Sequence, residues 1–228
     1  MLDPVTTAEG LAVVHLFAKR TDRADNGAIV AAVEVAQAAG VQVVAVAVLG
    51  HKAELCFMAL HREGWPLRDL QTGLVNAGLE VVDSFVSITE LSEYALGLGE
   101  EMQNMRLYPE LPPAGKSAWC FYPMTKRRNE NQNWYRLTFD ERRELMYEHG
   151  TSGRKFAGRI VQLITASTGL DDWEWGVTLF GTNLDDLKDT VYTMRYDTAS
   201  AVYAEFGPFY TGLVGPVTEI VDRTQPTS

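Results

Sequence analysis

Ala118-Trp119-Cys120-Phe121-Tyr122-Pro123-Met124 is the stretch from which the fold can be read. A strand's two-residue period puts Ala118, Cys120, Tyr122 and Met124 on one face and Trp119, Phe121 and Pro123 on the other. Downstream, Thr138-Phe139-Asp140-Glu141 matches a capping box, so a helix is expected over Phe139–Phe156. His149 falls on that helix's apolar stripe with Leu145 and Met146, which aims its imidazole at the core, and Gly150 and Gly153 are expected to break the helix just beyond it. Strands are expected over Arg159–Thr168 and Glu174–Gly181, a helix over Leu184–Arg195 capped by Asn183, and a strand over Phe206–Val214. The order is β-α-β-β-α-β.

The first half has the same order. Strands are expected over Leu11–Arg20, Val41–Leu49, Glu54–His61 and Leu79–Thr89, with helices over Ala28–Ala39 and from Trp65-Pro66 toward Gly78. Glu90–Met105 reads as a helical connection. The fold class is therefore α+β: two tandem ferredoxin-like (βαββαβ) units whose sheets join in a barrel-like core, of the dimeric α+β barrel type. The expected organisation is an N-terminal unit over residues 1–107, a Pro-rich linker over 108–117 and a C-terminal unit over 118–228. The polar tail from Thr218 is expected to fray.

A chain of 228 residues, 46% apolar, can fill two cores of this size. No run reaches the apolar length of a membrane span, and Met1-Leu2-Asp3-Pro4 is unlike a signal segment, so a cytoplasmic protein is expected. Cys56 and Cys120 are too few for a disulfide framework and sit in apolar runs as small hydrophobes. The net charge of -10 argues against nucleic acid, yet ten Lys/Arg face five acids between Lys116 and Arg159. That segment is +5, which suits a small polyanion as well as a solvated helix face.

Three residues stand out from their surroundings: Tyr122, His149, and Gln162 on a face with Ile160 and Ile164, where a buried amide must find a partner. Spacing alone does not separate a ligand histidine from a satisfied core one, nor a redox tyrosine from a packed one.

The wording of these segments goes further. C-F-Y-P-M-T-K-R-R, E-R-R-E-L-M-Y-E-H-G-x-x-G-R-K-F-A-G, Q-L-I-T-x-S-T-G-L-D-D-W-E-W-G-V-T-L-F and Y-T-M-R-Y-D-x-x-S-A-x-Y-A-E-F-G-P-F-Y-x-G resemble the coproheme decarboxylases of the chlorite-dismutase-like superfamily. The resemblance implies an enzyme that uses hydrogen peroxide to decarboxylate two propionates of iron coproporphyrin III (coproheme) to vinyls, giving haem b, with the substrate as its own redox centre. It implies His149 as axial iron ligand, Tyr122 as the radical-forming phenol, and Lys126 as a propionate-orienting partner in the second decarboxylation. Met124, Gln162, Ser200 and Arg106 are implied as further coproheme contacts. It also implies a homopentamer and a ferrochelatase as coproheme donor.

A glutamine is a poor general base, and no histidine lies between His61 and Tyr122 to serve instead. Two rival readings share the histidine: a non-enzymatic haem-binding or haem-delivery protein, which has no use for an oxidisable Tyr122, and a chlorite dismutase, which needs a distal arginine where Gln162 stands.

Overall fold

A computed structural model describes residues 3–95 and 97–225. The first unit contains β1 (Ala12–Arg20), α1 (Asn26–Ala38), β2 (Gln42–Leu49), β3 (Leu55–His61), α2 (Gly64–Asn76) and β4 (Leu79–Thr89). After α3 (Glu100–Leu107) come β5 (Ala118–Lys126), the small hairpin β6 (Arg128–Asn129) and β7 (Gln132–Asn133), and α4 (Phe139–Arg154). The chain ends in β8 (Ile160–Ala166), β9 (Trp175–Gly181), α5 (Leu184–Met194), α6 (Thr198–Ala201), β10 (Ala204–Phe206), β11 (Tyr210–Gly215) and α7 (Val217–Arg223).

The sheet runs β10-β5-β11-β2-β3-β1-β4-β8-β9, and β9 pairs back onto β5. Every pairing is antiparallel, and the return closes the sheet into a ring, so β5 is held on both edges. The pleat of β5 then serves two cores. Trp119 and Phe121 point into the ring with Val13, Phe17, Met58, Phe85 and Phe180. Ala118, Cys120 and Tyr122 point outward with Val177, Leu179 and Leu187. The first unit's outer face is covered by α1, α2 and α7 through Ile29, Val33, Leu67, Leu70 and Ile220. On the second unit, α5 supplies Leu187 and Val191 to part of the outer face, and no residue of α4 is fully buried.

Four expectations need correction. The helix carrying His149 runs through Gly150 and Gly153 to Arg154, neither glycine having a positive φ. A Cβ on Gly153 would meet only Met194 of α5, at 3.6 Å, so nothing there demands a glycine or a break. The connection after β4 is helical only over Glu100–Leu107; Leu96 lies outside the described residues. The expected strand Phe206–Val214 is two short strands, split at Gly207-Pro208-Phe209. Pro208 cannot donate to the ladder, while the Gly207 amide donates to the Pro123 carbonyl at 2.8 Å. A Cβ on Gly207 would lie 2.7 Å from Pro123 and 2.8 Å from Trp173, so only glycine passes there.

The tail is the fourth. Val217–Arg223 forms α7, with Ile220 and Val221 buried. The Arg20 guanidinium donates to the Asn26 side chain at 2.8 Å and to the Thr224 hydroxyl at 3.2 Å, and also bonds the Val221 carbonyl. Two adjacent aliphatics in a polar tail carry too little periodicity to announce a helix, but they complete the cover over the first sheet.

Candidate functional site

The uncovered part of the second unit's outer face is built by register. Ile164 lies opposite Val177, which lies opposite Tyr122; Gln162 lies opposite Leu179, which lies opposite Cys120. Met124 pairs with Trp175 on one side and Phe206 on the other. Ile164, Phe206 and Phe209 remain 40%, 39% and 37% exposed, an apolar strip that the chain itself does not cover. Tyr122 is buried at its centre, stacked on Phe209 with ring centroids 4.4 Å apart and meeting Phe206 edge-on at 5.6 Å. Burial, with a smaller contribution from Cys120, raises its phenol well above the usual range, so Tyr122 keeps its proton. Burial likewise pushes the Cys120 thiol up to about 12.

Gln162 departs from expectation. It is exposed, not a buried amide in search of a partner, because the face it shares with Ile160 and Ile164 is the uncovered one.

His149 is also placed differently from the sequence reading. Its ring is 27% exposed, on the side of α4 that meets α6 rather than a filled core. Its Nδ1 lies 2.9 Å from Asp197 Oδ2 and 3.4 Å from Ser200 Oγ. Asp197, with a side chain only 1% exposed, is a carboxylate that can only accept, so Nδ1 carries a proton, and in the neutral ring Nε2 is the nitrogen with the lone pair. Burial alone would raise the Asp197 carboxyl, but the bonds from His149 and Ser200 outweigh it and hold it below the ordinary range. Asp197 also caps α6, its Oδ1 accepting from the Ser200 amide at 2.9 Å. One buried carboxylate thus fixes both the short helix and the tautomer of His149. The available signal was the D-x-x-S spacing of Asp197 and Ser200, an N-cap pattern.

Lys126 is buried. Its ammonium donates to the Ala199 carbonyl at 2.8 Å and sits 4.4 Å from the centre of the Trp134 ring. Burial pulls it down to about 8 against the opposing pull of Asp197 and Glu174. Glu174 accepts from the Thr125 hydroxyl at 2.6 Å and the Lys126 amide at 2.9 Å, and pairs with Arg128. This carboxylate locks the end of β5 onto the start of β9. Arg127 is not free either: it donates to Gln132 Oε1 at 3.0 Å and to the Val202 carbonyl at 3.2 Å.

Tyr122, Met124, Gln162, His149, Ser200 and Lys126 thus belong to one sheet face and the α4–α6 elements at its border. Arg106 lies exposed at the end of α3 and has no hydrogen bond, ion pair or ring contact with them among the described residues. Sequence reasoning missed Asp197, Glu174 and the paired Phe206 and Phe209.

The arrangement suits a flat apolar group bearing a metal. It has an exposed aliphatic and aromatic strip, a histidine whose Nε2 makes no hydrogen bond among the described residues, and a carboxylate behind that histidine to fix its ring orientation. No group of three or more His, Cys, Asp or Glu among the described residues could hold a metal ion by itself. The single histidine matches a metal that arrives inside a planar ligand.

Fold and site define an α+β barrel protein with one open sheet face bordered by a histidine–carboxylate pair. The chain belongs to the chlorite dismutase family, whose sequence profile matches residues 23–215. It is 45% identical over 181 residues to the coproheme decarboxylase of Staphylococcus carnosus (strain TM300), covering 74% of this chain and 71% of that protein. A solved structure described as a novel haem-binding protein from Thermus thermophilus superposes with a TM-score of 0.83 at 34% identity, over 97% of both chains. A chlorite dismutase from Candidatus Nitrospira defluvii superposes with a TM-score of 0.73 at 19% identity, over 96% of this chain and 97% of that one, a likeness of fold. Among the described residues no helix is long and apolar enough to cross a membrane.

Proposed function

We propose that this protein is a coproheme decarboxylase, which uses hydrogen peroxide to convert two propionates of iron coproporphyrin III to vinyls and so makes haem b. The observation that carries the reading is the neutral Tyr122 phenol in the open apolar face that the Asp197-held His149 borders. It is supported by the 45% identity to a coproheme decarboxylase.

Each propionate loses two electrons and one proton as carbon dioxide leaves and a vinyl forms; one hydrogen peroxide takes up the two electrons and two protons and becomes two waters. When bound, the iron porphyrin supplies the oxidising power that peroxide delivers. The chain's residues do the rest. His149 holds the iron through Nε2, and Asp197 keeps the Nδ1 proton in place. Tyr122, kept protonated by burial, gives up an electron and a proton together and as a phenoxyl takes a hydrogen atom from the propionate carbon beside it. Ile164, Phe206 and Phe209 cover the porphyrin face and exclude water.

Lys126 has one N–H engaged by Ala199, and its remaining donors can take a propionate oxygen. Gln162 presents an exposed amide that can hydrogen-bond the peroxide, and Met124 and Ser200 line the bound ring. Arg106 clamps a propionate in this reading, and a homopentamer supplied by a ferrochelatase in the cytoplasm completes it.

The test is ferric coproheme loaded into the purified protein, titrated with hydrogen peroxide, with products followed by mass spectrometry. Loss of two carboxyl groups in wild type, and coproheme bound but intact in Tyr122→Phe, is the expected result. Bleaching of coproheme by wild type without decarboxylation would sink the proposal and leave haem binding alone.

A further inference from the structure

On the inner side of the same sheet lies a second phenol that the proposed reaction does not use. Tyr210 on β11 pairs with Phe121, the chain neighbour of Tyr122. The two tyrosines are therefore one residue out of step on adjacent strands, with Cα atoms roughly 6 Å apart, and they face opposite sides of the sheet. Phe209, the residue before Tyr210, is the ring stacked on Tyr122.

Tyr210 is held at both its hydroxyl and its ring. Its hydroxyl donates to Asp83 Oδ2 across the barrel mouth, and its ring stacks on Phe17 with centroids 3.8 Å apart. Both Tyr210 and Asp83 line a cavity of about 420 Å3 on the inner side, whose wall also includes Asp171, Asp172 and Trp173. A phenol loses an electron far more readily when its proton has a base to go to, and Tyr210 has one in a direct hydrogen bond. The fully buried rings beside it do not compete. Phe17 and Phe121 carry no ionisable hydrogen, and the buried Trp119 Nε1 has no hydrogen-bond partner among the described residues to receive its proton.

We propose that Tyr210 and Asp83 form a relief site that takes the oxidising equivalent from Tyr122 when no propionate is present to react. This rests on the radical role proposed for Tyr122. The Tyr122 phenoxyl accepts one electron from Tyr210 and one proton relayed from solvent at the border of the sheet face, becoming a phenol again. Tyr210 loses that electron, its phenolic proton passes to Asp83, and the radical now sits beside the cavity. There a thiol returns a hydrogen atom to the Tyr210 oxygen and leaves as a thiyl radical, and Asp83 releases its proton to water. The site would spare the porphyrin and Tyr122 from damage by excess peroxide.

The experiment uses protein loaded with haem b, which has no reactive propionate left, made with ring-deuterated tyrosine and freeze-quenched after hydrogen peroxide. Electron paramagnetic resonance is recorded for wild type, Tyr210→Phe and Asp83→Asn, and peptide mapping locates oxidised tyrosines. Phe keeps the ring on Phe17, and Asn keeps a hydrogen-bond acceptor while removing the base. The expected result is a deuterium-sensitive phenoxyl signal in wild type whose line shape changes in both variants, with peptide oxidation moving from Tyr210 to Tyr122 and the porphyrin. An unchanged signal and oxidation pattern in Tyr210→Phe would overturn the proposal, even if Asp83→Asn failed to fold. Coproheme conversion is measured on the same preparations. Wild type failing to decarboxylate would defeat the functional reading, whereas normal conversion by Tyr210→Phe with an unchanged radical would defeat only the relief site.

Discussion

At the scale of single residues, Asp197 is the group with the widest reach, since it orients His149 and caps α6 with its two oxygens. Asp197→Asn keeps an acceptor for the Ser200 amide but removes the negative charge behind the imidazole. Changing a partner of this kind behind a metal-ligating histidine typically costs about 10- to 100-fold in affinity or activity. We expect Asp197→Asn to bind ferric coproheme more weakly by a factor in that range, measured by spectroscopic titration, with little change in circular dichroism. Lys126 gives a pH signature. Burial lowers its folded value to about 8 from 10.5, so between these pH values the unfolded chain binds more protons than the folded one, and stability rises with pH across that window. Lys126→Met should flatten this rise in denaturant titrations run at several pH values; a rise as steep as in wild type would count against a buried ammonium.

At the scale of elements, α4 has to hold His149 at the edge of an uncovered face without a buried residue of its own. Its ends and side contacts therefore matter more than they would in a core helix. The capping box is complete: the Glu141 amide donates to the Thr138 hydroxyl at 3.4 Å, and the Thr138 amide donates to Glu141 at 2.7 Å. Thr138→Ala should cost about 0.5–2 kcal/mol, seen as a lower midpoint of unfolding. At the same end of α4, Arg142 donates to the Tyr94 hydroxyl at 2.9 Å, and Tyr94 stacks on Phe139. These contacts tie α4 to the segment that follows β4. At the other end of the chain, α7 covers the first sheet with a buried Ile220. Ile220→Ala should destabilise by roughly 2–5 kcal/mol, whereas a frayed tail would show no change in unfolding midpoint.

At the scale of the whole molecule, closure of the ring buries polar groups that an open sheet would leave wet. His15 is the clearest case: fully buried among Phe17, Phe85, Trp119 and Phe121, with Nε2 3.1 Å from the Thr178 hydroxyl. Burial lowers it to about 3 from 6.5, so the folded ring stays neutral over a range where the unfolded one takes a proton. The unfolded state then binds more protons between these values, and stability falls as pH drops from 6.5 toward 3. His15→Gln should shift acid unfolding to lower pH relative to its own stability at neutral pH. A difference between wild type and variant that does not vary with pH would show that His15 does not titrate on unfolding.

The element order, the two faces of Ala118–Met124 and the capped start of the His149 helix were legible in the sequence, because each rests on local periodicity or a short-range cap, whereas Tyr122 and His149 became candidates through the resemblance of their motifs. Tertiary structure decided what periodicity cannot carry. Gln162 is exposed because the face it shares with Ile164 is left uncovered, and Asp197 reaches His149 from 48 residues further along the chain. Val217–Arg223 is a helix because Ile220 and Val221 found an uncovered sheet. Phe206–Val214 broke in two because Gly207 had to pass between Pro123 and Trp173. In each case the deciding neighbour is distant in sequence and near only after the ring has closed, so short-range patterns determined the elements while ring closure determined which of their faces remained open.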